Sequence, residues 1–268
     1  MSKKRQGPLL DPQGIRSAQL TTLSKDYADG HVIPSHFHPE AQLVFASEGV
    51  MTIHTRQGIW VVPPLRAVWI PCKEIHSIEM SGTVKMRTLY LSPRTATRLP
   101  EHCFVLNVSP LFRELILHAC GRTAWRSRNP QDKRVLEFLL DQFKSAPTVP
   151  LQLPQPKDPR ARRVAERLIR DPSDPSPLAA LCKAAGGSKR TIERAFLSET
   201  GITFGKWRQQ LRLMHGMKLL ASGEKVTHAA LESGYDSPSA FISVFKKALG
   251  QSPARYFNNG GVIRKPVV

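Results

Sequence analysis

The sequence shows no cysteine framework, no long apolar run and no signal-peptide pattern in its first residues. Its four cysteines are scattered and none forms a Cys-x-x-Cys pair, so neither a zinc finger nor a disulfide scaffold is predicted. No apolar stretch approaches the roughly 18–20 residues of a membrane span. The basic N-terminus lacks the apolar core of a signal peptide. These absences favour a cytoplasmic protein with reduced thiols and no membrane partner.

Acidic residues are also scarce. The chain has 21 Asp and Glu against 39 Lys and Arg, a net charge of +18. Residues 151–268 hold 20 basic and 9 acidic side chains, a balance of +11, and residues 1–150 a balance of +7 from 19 and 12. Such an excess indicates a polyanionic partner such as nucleic acid, or a basic surface that serves only solubility.

The N-terminal half contains many short strand-like segments separated by Gly, Pro and Ser. The candidates are Gln42–Ala46, Val50–Thr55, Ile59–Val62, Ala67–Ile70 and Val84–Leu91. Short strands at about ten-residue spacing predict a small β-sandwich or β-barrel. Two helices are predicted next, near residues 110–119 and 135–143. The apolar surplus of the second fits a dimer face or burial against the barrel equally well.

Three histidines stand out among these strands. His36 and His38 are two residues apart, so on a strand they point to the same face, and His76 from another strand can complete a three-imidazole metal site. The pattern resembles the cupin family. Its motifs align with Gly30, His36, His38, position 42, Gly49, Pro71 and His76. Gln42 stands where the cupin motif has its glutamate ligand, and Lys73 replaces a motif glycine.

The cupin resemblance implies a barrel with a pocket, and the sequence leaves its content open. His36, His38 and His76 either bind a divalent metal ion or line a metal-free pocket or core. In the second case, His36, His38, Gln42, Trp60 and His76 are the expected lining of a site for a small-molecule effector. A metal-dependent cupin enzyme with an appended helical domain is the alternative function. We expect no enzyme, because Gln42 is a poor metal ligand and no other acid–base constellation is present.

A proline-rich segment predicts the domain boundary. Four prolines between Ser145 and Pro156 exclude a helix and indicate an extended linker. The predicted division is a basic tail at 1–18, a cupin-like ligand-binding and dimerisation domain at 19–145, a linker at 146–157, an all-α DNA-binding domain at 158–258 and a tail at 259–268. The predicted fold class is therefore a β-barrel followed by two helices, and then a helical domain.

The helical domain contains the same helix–turn–helix pattern twice. Two helix–turn–helix units are predicted at about 178–199 and 226–249, joined by a long helix. In each, a capping serine opens the second helix: Ser188 in the first unit and Ser237 in the second. The residues expected to face DNA are Ser188, Arg190, Thr191, Arg194, Ser237, Ser239, Ser243 and Lys246. Exposed arginines beside short polar residues suit phosphates and guanine edges, although a merely solvated face is the alternative.

This arrangement resembles the AraC/XylS family of bacterial transcription regulators. The most specific match is Gly234-Tyr-x-Ser-x-Ser-x-Phe241-x3-Phe245-x4-Gly250-x-Ser-Pro253, and the resemblance covers about residues 158–258. It implies a ligand-responsive, sequence-specific transcription regulator, with an operator in double-stranded DNA, RNA polymerase and a small-molecule effector as partners. We expect an activator that forms a homodimer. Gly216, where the family usually has alanine, should weaken the long helix by about 1 kcal/mol and let it bend.

Overall fold

The structure is a computed structural model, and it describes residues 18–126 and 129–260. The predicted basic tail at 1–18 lies outside the described residues except for Ala18, as does the C-terminal tail beyond Gly260. The described chain divides into two compact units. The first runs to Pro150, and the second starts at Leu151 and includes residues 57–59.

The first unit is β-rich and carries three helices. In chain order its elements are β1 (Leu20–Tyr27), β2 (Val32–His36), β3 (Ala41–Ala46), β4 (Val50–Thr55), β5 (Gly58–Val62), β6 (Arg66–Ile70), β7 (His76–Ser81), β8 (Val84–Leu91), α1 (Pro93–Ala96), β9 (Phe104–Asn107), α2 (Pro110–Cys120), β10 (Ala124–Trp125), α3 (Pro130–Ser145) and β11 (Thr148–Val149). The two predicted helices correspond to α2 and α3. The first half of the predicted linker is extended, because β11 pairs with β9.

The strands form two sheets. One has the order β10-β1-β8-β3-β6-β9-β11, and the other places β5, β4, β7 and β2 side by side. The predicted β-rich class is confirmed, but the described strands do not make the closed barrel that was expected. The reason is at the edges of the larger sheet, where β10 and β11 are only two residues long and end the hydrogen-bonded ladder. Two facing sheets remain compatible with a cupin-like jelly roll.

The core of the first unit lies between the larger sheet and the helices α2 and α3. Phe112 and Phe143 are buried in the same apolar cluster as Trp69, whose ring centroid is 4.9 Å from that of Phe143. Ser109 caps α2 by accepting a hydrogen bond from Phe112 N. Burial against the sheet explains the apolar residues on the inner face of α3, whereas Phe138 on its outer face is 43% exposed.

An ion pair joins α3 to the loop before it. The buried Asp132 carboxylate accepts two hydrogen bonds from the Arg122 guanidinium, at 2.8 and 3.1 Å, and one from Arg126 N at 3.2 Å. The Arg122 guanidinium also lies 4.2 Å from the centre of the Trp125 ring. The Arg122 guanidinium beside Asp132 holds the pKa of that carboxyl below its ordinary value.

We expect the Arg122–Asp132 ion pair to make the free energy of unfolding of the first unit depend on pH in the acidic range. The depressed pKa of Asp132 contributes stability above an unfolded-state pKa of about 3.9, and this is lost as the pH falls through the folded-state pKa. Asp132→Asn should lower the free energy of unfolding at pH 7 and flatten its decline below about pH 4. Urea titrations across this range measure both effects. Parallel stability curves for the two proteins would contradict the assignment.

The second unit is helical. Its elements are β12 (Gln152–Pro154), α4 (Pro159–Arg170), α5 (Leu178–Ala184), α6 (Lys189–Thr200), α7 (Phe204–Ala221), α8 (Val226–Glu232), α9 (Pro238–Leu249) and α10 (Pro253–Gly260). Helices α5 and α6 form the first helix–turn–helix unit, and α8 and α9 form the second. The long helix α7 connects them. Aromatic rings fill both cores: Phe196 packs against Trp207, and Phe245 against Phe241 and Tyr256.

The long helix does not depart from helical geometry at Gly216. Helix α7 is continuous from Phe204 to Ala221. A Cβ atom added at Gly216 would lie 2.6 Å from Cε2 of Phe241 and 3.1 Å from Oγ of Ser233. The glycine therefore allows α7 to approach the second helix–turn–helix unit closely. The expectation that this glycine also lets the helix bend stays a prediction.

Candidate functional site

Helix α6 presents a basic face to solvent. Ser188 caps it by accepting a hydrogen bond from Thr191 N at 3.2 Å, and the Ser188 and Thr191 hydroxyls are 2.9 Å apart. Arg190 and Arg194 are exposed. Neither arginine forms an ion pair with any residue that the structure describes. The two guanidinium groups are thus available to an anionic partner, whereas the Thr191 hydroxyl is engaged in the cap.

A groove of about 710 Å³ runs along this face. Helix α6 lines it with Lys189, Arg190, Glu193, Arg194 and Leu197, and the start of α7 adds Thr203, Phe204 and Gly205. Leu197 is 54% exposed, although it is a large apolar side chain on a charged helix. Of these lining residues, only Arg190 and Arg194 were expected to face DNA. Glu193 and Leu197 share their helical face at spacings of three and four residues, which was a usable signal.

Helix α9 repeats the construction with different chemistry. Ser237 caps it by accepting a hydrogen bond from Ala240 N at 3.3 Å. Ser239, Ser243 and Lys246 lie on its exposed side, opposite the buried Phe241 and Phe245. The outer face of α9 is therefore short and polar, with its positive charge near the C-terminal end of the helix.

The first unit brings the three predicted histidines together. His36 and His76 are paired across β2 and β7, and their ring centroids are 4.3 Å apart. His38 follows β2, and its ring centroid is 5.3 Å from that of His76. Each imidazole has one ring nitrogen within 4.8 Å of those of the other two. His38 and His76 are buried, and His36 is half-buried.

Backbone carbonyls set the orientation of all three rings. Nδ1 of His36 is 2.8 Å from the carbonyl oxygen of Pro34, that of His38 is 2.8 Å from Glu40 O, and that of His76 is 2.9 Å from Glu74 O. A carbonyl oxygen only accepts, so the proton of each neutral ring is on Nδ1 and Nε2 keeps its lone pair. Burial lowers the pKa of His76 to about 3 and lowers that of His38.

Gln42 and Trp60, the other two predicted pocket residues, have different positions. Gln42 is buried on β3, and its Oε1 is 3.1 Å from Nε2 of His38. Trp60 is one side chain further away, because its Nε1 donates to Oγ1 of Thr55, the cross-strand partner of His76. Four of the five predicted residues thus form one cluster, and Trp60 lies beside it.

Lys73 adopts the backbone conformation that favours the motif glycine it replaces. Its φ is +63°, in the left-handed region that favours glycine. Its backbone N donates to the carbonyl oxygen of His38 at 3.0 Å. This hydrogen bond ties the loop that leads to His76 to the segment that carries His38. The sequence departure at position 73 therefore leaves the local geometry in place.

Two helix–turn–helix units with exposed recognition helices, on a chain that also carries a β-rich fold with a polar cluster between its strands, are the parts of a DNA-binding transcription regulator. Residues 181–259 match a helix-turn-helix domain family, and residues 19–152 match the AraC-like ligand binding domain. The chain belongs to the AraC family of transcription regulators. No helix among the described residues is long and apolar enough to cross a membrane.

Known proteins similar to this chain are regulators of the same type. The HTH-type transcriptional regulator NimR of Escherichia coli (strain K12) is 36% identical over 223 residues, which are 83% of this chain and 81% of NimR. The HTH-type transcriptional regulator RipA of Corynebacterium diphtheriae is 33% identical over 107 residues, 40% of this chain and 31% of RipA. The crystal structure of ToxT from Vibrio cholerae O395 matches 90% of this chain and 98% of its own, at 13% identity and a TM-score of 0.39.

Proposed function

We propose that this regulator reads an operator in double-stranded DNA with α6 and α9, and that a small-molecule effector binds in its N-terminal unit. The observation that carries the proposal is the pair of exposed, unpaired arginines on α6, placed along an open groove. Arginine binds phosphate and guanine in a planar, two-pronged manner, and it is the commonest specific contact in the major groove. The excess of positive charge in residues 151–268 supports the same partner.

The chemistry of the α6 groove supports base reading. We assign Arg190 and Arg194 to guanine edges or phosphates, Glu193 to the amino group of cytosine, and Leu197 to a thymine methyl group. Helix α9 enters the next major-groove segment, about 34 Å along the duplex. Its residues Ser239, Ser243 and Lys246 bind chiefly phosphates, since short hydroxyls and one lysine favour positioning over reading. Ser188 and Ser237 contribute by capping the two recognition helices.

In this proposal the effector binds beside His36, His38, Gln42, Trp60 and His76 and shifts the population of DNA-binding conformations. A homodimer forms through the outer face of α3, where Phe138 remains exposed. The regulator acts in the cytoplasm, where it contacts RNA polymerase and activates transcription. We assign it no catalysis, because binding alone fulfils this function. Selection of bound fragments from genomic DNA, with and without candidate effectors, tests the proposal; a failure to enrich any sequence contradicts it.

We expect Arg194→Ala to weaken binding to the selected operator by about 1–3 kcal/mol, or roughly 5- to 150-fold. The loss arises because one planar contact to a base or phosphate disappears. Fluorescence anisotropy titrations with operator and scrambled duplexes measure it.

Lys246→Ala should instead lower affinity for both duplexes and reduce the slope of affinity against salt concentration.

Arg56→Ala is the matched control, since it removes one positive charge from the exposed turn between β4 and β5, outside both recognition helices. We expect it to leave operator affinity within about twofold, because no side chain assigned to the DNA is lost. If Arg194→Ala behaves like Arg56→Ala, then α6 does not face the DNA as assigned.

A further inference from the structure

Two arginines on the long helix α7 bind the loop that leads into the first helix–turn–helix unit. Arg208 donates to the carbonyl oxygens of Asp174 and Ser176, the second at 2.9 Å. Arg212, one helical turn further along α7, donates to Pro172 O at 3.3 Å and to Asp174 O at 3.4 Å. Helix α7 thus holds three carbonyl oxygens of the loop that directly precedes α5.

This loop is held together by hydrogen bonds of its own. Oδ1 of Asp171 accepts from Ser173 N and Asp174 N, both at 3.1 Å. The buried Asp174 carboxylate accepts from Ser176 N at 2.7 Å and from Arg167 Nε at 2.8 Å, and these bonds hold the pKa of that carboxyl below its ordinary value. Because a satisfied network of this kind is rigid, fixing the loop to α7 also fixes the start of α5.

The guanidinium of Arg212 also lies against the turn of the second helix–turn–helix unit. Gly234, between α8 and α9, has a φ of +79°. A Cβ atom added there would lie 2.8 Å from Nε of Arg212 and 2.9 Å from both its Cζ and its Nη2. Beside this contact, the Tyr235 hydroxyl donates to Gln209 O of α7 at 3.4 Å. A side chain at position 234 would therefore push the guanidinium away from its carbonyl partners in the loop.

We propose that Arg212 is a positioning residue that fixes the spacing of the two recognition helices and so determines the half-site spacing of the operator. The same guanidinium contacts the loop before α5 and the turn before α9. Since these segments lead into different helix–turn–helix units, a movement of one unit against the other breaks the contacts of Arg212. This inference rests on the proposed reading of DNA by α6 and α9.

Half-site spacing is a geometric requirement for two recognition helices on one chain. One inserted base pair moves the second major-groove segment by about 3.4 Å and turns it by about 35°. The contacts of Arg212 oppose an equal movement of α9 against α6. A guanidinium offers several N–H donors in one rigid plane, whereas the ammonium of lysine is a single group on a flexible stem. Lysine at position 212 should therefore keep the charge and lose part of the rigidity.

Binding of the full chain to operators of altered spacing tests the inference. Anisotropy titrations use the selected operator and versions with one base pair inserted or removed midway between the two segments. The wild-type protein should bind the altered operators about 10-fold or more weakly. Arg212→Ala should reduce this ratio by about threefold or more, and Arg212→Lys by less. Arg208→Ala is the matched control and should keep the wild-type ratio, because it loses bonds to the loop but leaves the contact of Arg212 with Gly234 in place.

The ratio separates positioning from general stability. A variant that is merely less stable has fewer folded molecules, which lowers its binding to all operators by one factor and leaves the ratio unchanged. An unchanged ratio in Arg212→Ala, or an equal fall in Arg208→Ala, would overturn the assignment. If the alanine variant does not fold, an unchanged ratio in Arg212→Lys has the same meaning. A wild-type protein that selects an operator but ignores its spacing refutes only this inference, and one that selects no operator refutes the regulator function as well.

Discussion

Trp207→Ala is expected to lower the free energy of unfolding of the helical unit by about 3–5 kcal/mol. Trp207 is fully buried on α7, and its ring centroid is 5.3 Å from that of Phe196 in the first recognition helix. Its Nε1 donates to the carbonyl oxygen of Pro154 at 2.8 Å, which holds the proline-rich segment against α7. Alanine removes the ring, leaves a cavity and eliminates the hydrogen bond to Pro154 O. Urea unfolding followed by the helical circular dichroism signal measures the loss.

Trp207→Phe separates packing from hydrogen bonding. Phenylalanine keeps most of the buried area but leaves Pro154 O without its donor, so we expect a smaller loss of about 1–2 kcal/mol. If alanine and phenylalanine cost the same, the hydrogen bond and not the ring dominates at this position. A loss below 1 kcal/mol for alanine would contradict the packing described for α7.

Gly216→Val is expected to cost about 3 kcal/mol or more. Its Cβ alone would lie 2.6 and 2.8 Å from two atoms of the Phe241 ring, and Phe241 is itself fixed between Tyr235 and Phe245. Overpacking of this kind typically costs 1–3 kcal/mol, and the two extra methyl groups of valine add to the overlap. Since the contact sets how α7 meets the second helix–turn–helix unit, operator affinity should also fall. Urea titration and anisotropy measure the two effects.

The control is a second glycine on the same helix. A Cβ at Gly205 would meet nothing within 4 Å, so Gly205→Val should change stability by no more than about 0.5 kcal/mol. Equal losses at the two positions would mean that helix propensity is the cause. A loss at Gly216 that is relieved by Phe241→Leu would identify the ring as the obstacle.

Local features of this protein were readable from its sequence. The predicted strands Val50–Thr55 and Val84–Leu91 have the same bounds in the structure. The helix caps at Ser188 and Ser237 are also found where expected. These predictions are correct because strand alternation and helix capping depend on residues close together in the sequence. Strand β1 was not predicted, because three of its eight residues are polar and exposed and its partner β8 is about 60 residues away.

The candidate sites divide in the same way. The exposed faces of α6 and α9 follow from helical spacing, so Arg190, Arg194 and Lys246 could be named from the sequence. The groove they line could not, because the start of α7 completes it. Equally, the two cupin-like motifs identified three histidines but not the direction of their nitrogens, nor the contact between Gln42 and His38.

The sequence by itself determined the class of the protein: two helix–turn–helix units, a β-rich domain before them and an excess of positive charge. These depend on composition and on patterns shorter than about twenty residues. Only the tertiary structure decided that His36 is paired with His76 and that Gly216 is a point of close contact with Phe241. Both depend on contacts between residues about 25–40 positions apart, whose geometry is set by strand register and helix packing.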